Sequence, residues 1–470
     1  MRGGKAAPGS WLPDLGVAAL RRAGLILFSF LLLLMMWAGT RLALVCGTNP
    51  LAWHLEVVTP YAVTGDEPHY IMVVNSILFD HDLELQDDYF RVHALGGLEA
   101  GTHWRFCLPD HHTIVVNRRT GDHATWFSLH PRIAATAGHV PGLKLPARAA
   151  YLSPSRDVYE VSDHPIAYPA LLAAMIAPFR PALEDVERDA SVAMVVICWV
   201  GCLLVFLIAR RVGLNRATSL LAAAMLGLAS PWLPYARSYY SEPAIGLALM
   251  AGLWAYEEDR PVLAALAIAA AAIIKPPYAV IGAGFVLESS WNQRWRAAAL
   301  MSLTLALCGA GLMSFNYWLA RTLVISGNVL GADAIARSLG PLYVETLQPE
   351  HGLLWFVPWV VCAPLGLRRT HSASDPSRLT RRMVTPVVLF LVLLAGVSFG
   401  PGFCYGPRYW VPLLPWFALA YAIGWSSAGR ALRAVFSVLA IAGAVFAISG
   451  VLRYPEMFYT APWSALFCAS

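Results

Sequence analysis

Apolar runs of about the twenty residues that a helix needs to cross a bilayer recur along this chain, separated by short polar turns rich in arginine. The pattern predicts spans near 25–46, 190–209, 217–236, 240–256, 261–274, 278–290, 297–325, 352–367, 383–399, 408–426 and 432–452, eleven in all. The fifth and sixth are short and meet at Lys275-Pro276-Pro277. Such a break leaves backbone groups that lipid cannot satisfy, so both helices are expected inside the bundle. The run from Ile166 to Phe179 is too short for a span and contains Pro169 and Pro178, which predicts a helix lying in or dipping into the membrane interface.

Composition agrees with this class: 58% of residues are hydrophobic and only 13% charged. The run from Leu25 to Cys46 is too long for a signal-peptide core and no small-residue cleavage site follows it, so it is read as a retained span. Arg2, Lys5, Arg21 and Arg22 precede it and set residues 1–24 in the cytoplasm. Basic turns at Arg210, Arg211 and Arg216, at Arg294 and Arg296, from Arg368 to Arg382, and at Arg430 and Arg433 mark further inner loops; Glu257-Glu258-Asp259-Arg260 fits that side less well. The expected architecture is an all-α polytopic membrane protein. Residues 47–189 form a large outer, periplasmic loop carrying juxtamembrane helices and short strands near Thr113–Asn117 and Ala124–Leu129, residues 190–452 the membrane bundle, and residues 453–470 an outer tail.

The net charge of +5 is modest and lies on inner loops facing anionic lipid, so nucleic acid is not implied. Eight cysteines show no CxxC spacing; Cys107 and Cys404 are an outer-side pair open to a disulfide. Arginine outnumbers lysine so heavily that a GC-rich bacterial source, and hence the inner membrane, is the expected setting.

Candidate chemistry concentrates at the outer ends of the spans. Asp66 and Glu67 are adjacent acids at a helix start, with Pro68 in the first turn, where the helix dipole favours their ionised form. They suit a base or a divalent-cation site, and a plain helix cap is the structural alternative. Lys275 is one of only three lysines and sits at the end of an alanine-rich span. A cation there needs an anionic partner or a watery cavity, unless it snorkels to headgroups. Arg408 follows a Gly- and Pro-rich turn and can grip phosphate oxygens in a fork. Tyr409 beside it, and Tyr240 and Glu242 at another helix start, join it as substrate-binding candidates. Eleven of the thirteen histidines lie between His54 and His164 without metal-ligand spacing, and only His164, at the head of the interfacial helix, is assigned a role, as a substrate-binding residue.

Several stretches resemble the GT-C superfamily of membrane glycosyltransferases, which includes protein O-mannosyltransferases and the aminoarabinose transferases that modify lipid A. Gly65-Asp66-Glu67-Pro68-His69-Tyr70 is similar to the first-loop acidic motif, and Asp163-His164-Pro165-Ile166-Ala167-Tyr168 to the His-Pro segment, with His-Pro-Ile where His-Pro-Pro is common. Gly352 to Trp359 and Gly406 to Pro415 are similar to later spans of bacterial members, with no large C-terminal soluble domain expected after them. The resemblance implies sugar transfer from a polyprenyl-phosphate donor to a lipid, glycan or protein acceptor at the outer face. Asp66 would be the base, Glu67 would assist it or bind a cation, and Lys275 and Arg408 would hold the donor phosphate. A transporter or lipid flippase is the competing class, because buried ions and broken helices also build transport pathways. A non-catalytic relative of the same fold is the third.

Overall fold

The structure, a computed structural model, describes residues 12–40, 66–85, 113–125, 158–325, 340–368, 384–385, 387–393, 404–453 and 461–463. Helix α1 spans Leu12–Thr40, and α2 (Glu67–Asn75) runs into a π turn over Ser76–Asp80. Helix α3 (Ala167–Ile176) precedes α4 (Val186–Arg211), α5 (Arg216–Leu228), α6 (Glu242–Glu257) and α7 (Pro261–Ile274). Then come α8 (Ala279–Trp291), α9 (Trp295–Ala320), α10 (Gly340–Leu347), α11 (Leu414–Ser427) and α12 (Arg430–Leu452).

Among the described residues three helices, α4, α9 and α12, are long and apolar enough to cross a membrane. The buried faces of α4 and α6 carry the core, while α9 leaves Leu303, Leu307 and Phe315 exposed. Trp295 and Trp318 on α9 are 66% and 65% exposed and lie 23 residues apart, about 34 Å at 1.5 Å per residue. That separation matches aromatic belts on either side of a hydrocarbon layer about 30 Å thick.

Of the eleven expected spans, several are not continuous helices. The run 217–236 breaks after α5 and resumes as a single turn, Trp232–Tyr235, because Pro231 has no N–H with which to continue the ladder. Ser230 repairs the gap: its hydroxyl donates to the Leu226 carbonyl (2.6 Å) and accepts from the Trp232 amide (3.1 Å). The run 352–367 divides at Pro358 into a helical turn, a 3-10 segment over Pro358–Cys362 and a short helix, Ala363–Arg368. The run 408–426 opens as a 3-10 turn, Arg408–Leu413, which contains Pro412. The run 166–179 is helical, as α3 plus a 3-10 turn, Ala177–Phe179.

Ion pairs gather the turns opposite the site described below. Arg211 Nε lies 2.9 Å from Glu258 Oε1, and Arg294 pairs with Asp259. The acidic turn that fitted the inner side poorly thus neutralises basic turns at its own end of the bundle.

The first strand forms where expected, as β1 (Thr113–Asn117), and β2 covers His123–Thr125; residues 126–129 lie outside the described residues, as does Cys107. A third strand, β3 (Val158–Ser162), joins them from a stretch whose hydrophobic pattern predicts no strand. The sheet order is β2-β1-β3, antiparallel throughout, with Ile114 opposite Thr125 on one side and Val161 on the other. Tyr159 of β3 donates its hydroxyl to the Leu319 carbonyl (2.9 Å), which fastens the sheet to the end of α9. β3 then leads directly into Asp163 and His164.

Small residues allow α12 to approach the centre. A Cβ on Gly443 would stand 2.6 Å from the Ala229 carbonyl oxygen and 2.9 Å from the Trp359 ring, and Trp359 Nε1 donates to that same carbonyl (2.5 Å). Gly443→Leu should therefore cost about 1–3 kcal/mol through overpacking, read as a lower melting midpoint in detergent, whereas Gly309→Leu, where a Cβ meets nothing within 4 Å, should leave the midpoint unchanged.

Candidate active site

Four helix or turn starts and one helix end meet at a single point. Asp66 occupies the N-cap of α2, yet its side chain makes no capping hydrogen bond. It pairs instead with Arg408 Nη2, and the Tyr70 hydroxyl one turn on donates to the same Oδ2 (3.3 Å). The capping alternative therefore fails for the side chain, while the Asp66 carbonyl still accepts the first helical bond from the Tyr70 amide (3.0 Å). Glu242 stands in the first turn of α6, fully buried, and its Oε1 takes both Arg408 Nε and Lys275 Nζ at 2.7 Å each.

Local sequence explains how each charge arrives. Lys275 ends α7 in an extended conformation (φ −149°, ψ 102°), forced by the following Pro276, and this turns it off the helix. The Tyr278 hydroxyl beyond the break donates to the Tyr409 carbonyl (2.8 Å), tying that break to the 408–413 turn. Ahead of Arg408, Gly406 adopts φ +63° with the Phe356 ring 2.9 Å from where a Cβ would be, so only glycine fits there without strain. Each cation also lies over an aromatic face: Arg408 Cζ is 4.5 Å from the Tyr240 ring centre and Lys275 Nζ 4.6 Å from that of Tyr409.

His164 completes the edge of the cluster. Its backbone N–H donates to Ser162 Oγ (3.0 Å), and its Nε2 lies 3.9 Å from Asp66 Oδ1 and 3.6 Å from Asp163 Oδ1. Burial alone would raise the Asp66 carboxyl, but Arg408 beside it, with His164 and Lys275, holds it well below the usual carboxylate range.

Asp66, His164, Tyr240, Glu242, Lys275, Arg408 and Tyr409 are thus one constellation. Glu67 has a different setting: it is fully buried and its Oε1 accepts the Tyr239 amide (2.9 Å), fixing the start of α2 to the turn before α6. The two adjacent acids are not joined in one ligand set here. The two acids are committed to different partners, and among the described residues no group of three or more His, Cys, Asp or Glu side chains is arranged to hold a metal. Sequence reasoning missed Glu345, a wholly buried acid on α10, and Tyr70, whose place one turn after Asp66 could have suggested its contact.

Residues 167–397 match the model of glycosyltransferase family 87. This membrane glycosyltransferase family, GT-C-like in character, indicates glycosyltransferase activity and a membrane setting. The matched stretch is just short of half the chain; it holds Tyr240, Glu242, Lys275 and Glu345, while Asp66, His164, Arg408 and Tyr409 reach the same cluster from outside it. No curated protein and no solved structure matches the chain.

Unequal sharing of charge makes the cations distinguishable by stability. Arg408→Met strands Asp66 and leaves Glu242 with Lys275 alone, so a loss of about 3–5 kcal/mol is expected, whereas Lys275→Met leaves Glu242 paired with Arg408 and should cost less. Melting of both variants in one detergent checks the order, and equal midpoints would contradict it. The depressed Asp66 pKa sets a second expectation. Its stabilising contribution is complete above the unfolded value of about 3.9 and is lost as pH falls through the folded one. Asp66→Asn should flatten the decline in melting midpoint below about pH 4, and an unchanged acid slope would exclude that source.

Proposed function

We propose that this chain transfers a sugar from a polyprenyl-phosphate carrier to an acceptor hydroxyl at the outer face of the membrane, Asp66 serving as base and Lys275 and Arg408 as ligands of the donor phosphate. The observation that carries the reading is the Asp66–Arg408–Glu242–Lys275 cluster, in which two cations and two carboxylates from separate parts of the chain meet under cover. Charge neutrality holds the cations in position before any substrate arrives. A phosphate entering between Arg408 and Lys275 competes with the carboxylates for them, and Arg408 offers a planar fork suited to two phosphate oxygens.

That competition also tunes the base. While paired with Arg408, Asp66 is a weak proton acceptor. As phosphate draws Arg408 away, the pull on Asp66 relaxes and its pKa climbs toward a value useful for general-base catalysis. The acceptor oxygen then attacks the anomeric carbon, the bond from that carbon to the phosphate oxygen breaks, and the hydroxyl proton passes to Asp66. His164, partly exposed and within 4 Å of Asp66 Oδ1, offers the route by which the proton leaves. Lys275 and Arg408 remain against the departing polyprenyl phosphate as its charge grows, which is where fixed cations lower a barrier most.

The outer-face assignment rests on the basic turns at the opposite end of the bundle, which the charge rule puts in the cytoplasm. A bacterial inner membrane, with lipid, glycan or protein as acceptor, is the setting in which this reading is strongest. Purified protein supplied with a panel of radiolabelled polyprenyl-phosphate sugars should consume at least one of them, and Asp66→Asn should lower turnover by roughly 10²–10⁴-fold while donor binding survives. Full turnover in that variant would remove Asp66 as base, and lipid translocation across vesicles without glycosyl transfer would favour a flippase.

A further inference from the structure

Glu345 is a carboxyl that the reaction above does not use. It lies on α10, packed against the Arg408–Leu413 turn, and its side chain is wholly buried. The Tyr409 amide faces it, yet neither carboxyl oxygen closes a hydrogen bond of normal geometry among the described residues. The charged and titratable groups around it come from each neighbouring element: Arg408 and Tyr409 from the turn, Cys404 from the bend before it, Lys275 and Tyr278 from the helix break, and Glu242 from α6. Both cations in that set are already matched by Asp66 and Glu242.

We infer that Glu345 is a substrate-binding residue that works as a neutral acid, its carboxyl O–H donating a hydrogen bond to an oxygen of the donor phosphate held by Arg408 and Lys275. The inference rests on the phosphate reading of those two cations. Charge counting supports it. Arg408, Lys275, Asp66 and Glu242 sum to zero, so a third ionised carboxylate would turn the site negative and repel an anionic ligand, whereas the protonated form adds a donor at no cost in charge. Burial drives the carboxyl to that form, raising it to about 8 against the opposing pull of the Tyr409 amide, Arg408 and Lys275. A buried acid kept neutral so that it can donate is an established device of enzyme sites.

The prediction separates this role from an ionised one, because glutamine keeps a donor and loses only the titration. Binding of undecaprenyl phosphate to the purified, full-length protein in detergent is the direct measurement. Glu345→Leu should bind about 10- to 100-fold more weakly, the worth of a hydrogen bond to a charged group. Glu345→Gln should stay within a few-fold of the unmodified protein at pH 7. In the unmodified protein affinity should fall roughly tenfold per pH unit above about 8, and in Glu345→Gln that decline should vanish. Melting curves of both variants identify any loss caused by misfolding, and Glu345→Gln, nearly isosteric and neutral, keeps the pH comparison decisive. If Lys275→Met binds the lipid phosphate as well as the unmodified protein, the phosphate reading itself fails. If Lys275→Met weakens binding but Glu345→Leu does not, or if the alkaline decline persists in Glu345→Gln and so belongs to Lys275, the assignment of Glu345 is overturned.

Discussion

Glu242 holds two cations on one carboxylate oxygen with no solvent contact, and the geometry of the site depends on that arrangement. An ionised carboxylate buried alone would cost several kcal/mol, and so would a buried Arg408; brought together they cancel much of that cost in a low-dielectric interior. The start of α6, the end of α7 and the 408–413 turn must therefore coincide, since any other register leaves an uncompensated charge. Asp66 extends the same constraint to the start of α2 by pairing with Nη2 of the Arg408 guanidinium.

The interruptions that prevent several apolar runs from forming continuous helices are the features that deliver the charges. Pro276 turns Lys275 off α7, Gly406 and Pro407 bend the chain into Arg408, and Pro231 makes the short turn that leads to Tyr239, Tyr240 and Glu242. Irregular backbone at depth in a membrane bundle survives only where protein satisfies its polar groups. Here Tyr278 donates to the Tyr409 carbonyl, the Tyr168 hydroxyl to that of Tyr240 (3.4 Å) and the Trp232 indole to that of Cys198 (2.9 Å). Aromatic side chains with a polar tip suit this task, since the ring fills the core and the tip closes the gap.

A site built this way rests in a paired, electrically neutral state. Neutrality keeps the buried charges stable, and on the reading proposed above the carboxylates hold positions that a donor phosphate would compete for. The same pairing keeps Asp66 weakly basic until something competes for Arg408, which links the proposed chemistry to donor arrival.

The sequence by itself determined the class of the molecule and most of the residues that meet in the buried charge cluster. Hydrophobic runs of membrane length, arginine at the turns and isolated charges at helix ends are local features, and a charge in an apolar setting must find a partner wherever it folds. Asp66, Glu242, Lys275 and Arg408 were legible for that reason. Their pairing was not, because Asp66 and Arg408 lie 342 positions apart and no local rule links them. Glu67 shows the same limit: adjacent to Asp66 in sequence, it serves the Tyr239 amide instead, since successive residues at a helix start point in different directions. Glu345 gave no signal in a short, ordinary stretch of sequence, and β3 none in a region of weak periodicity. Only the packing of α10 on the 408–413 turn removes that carboxyl from water and sets it beside two already neutralised cations, a placement that no local pattern encodes.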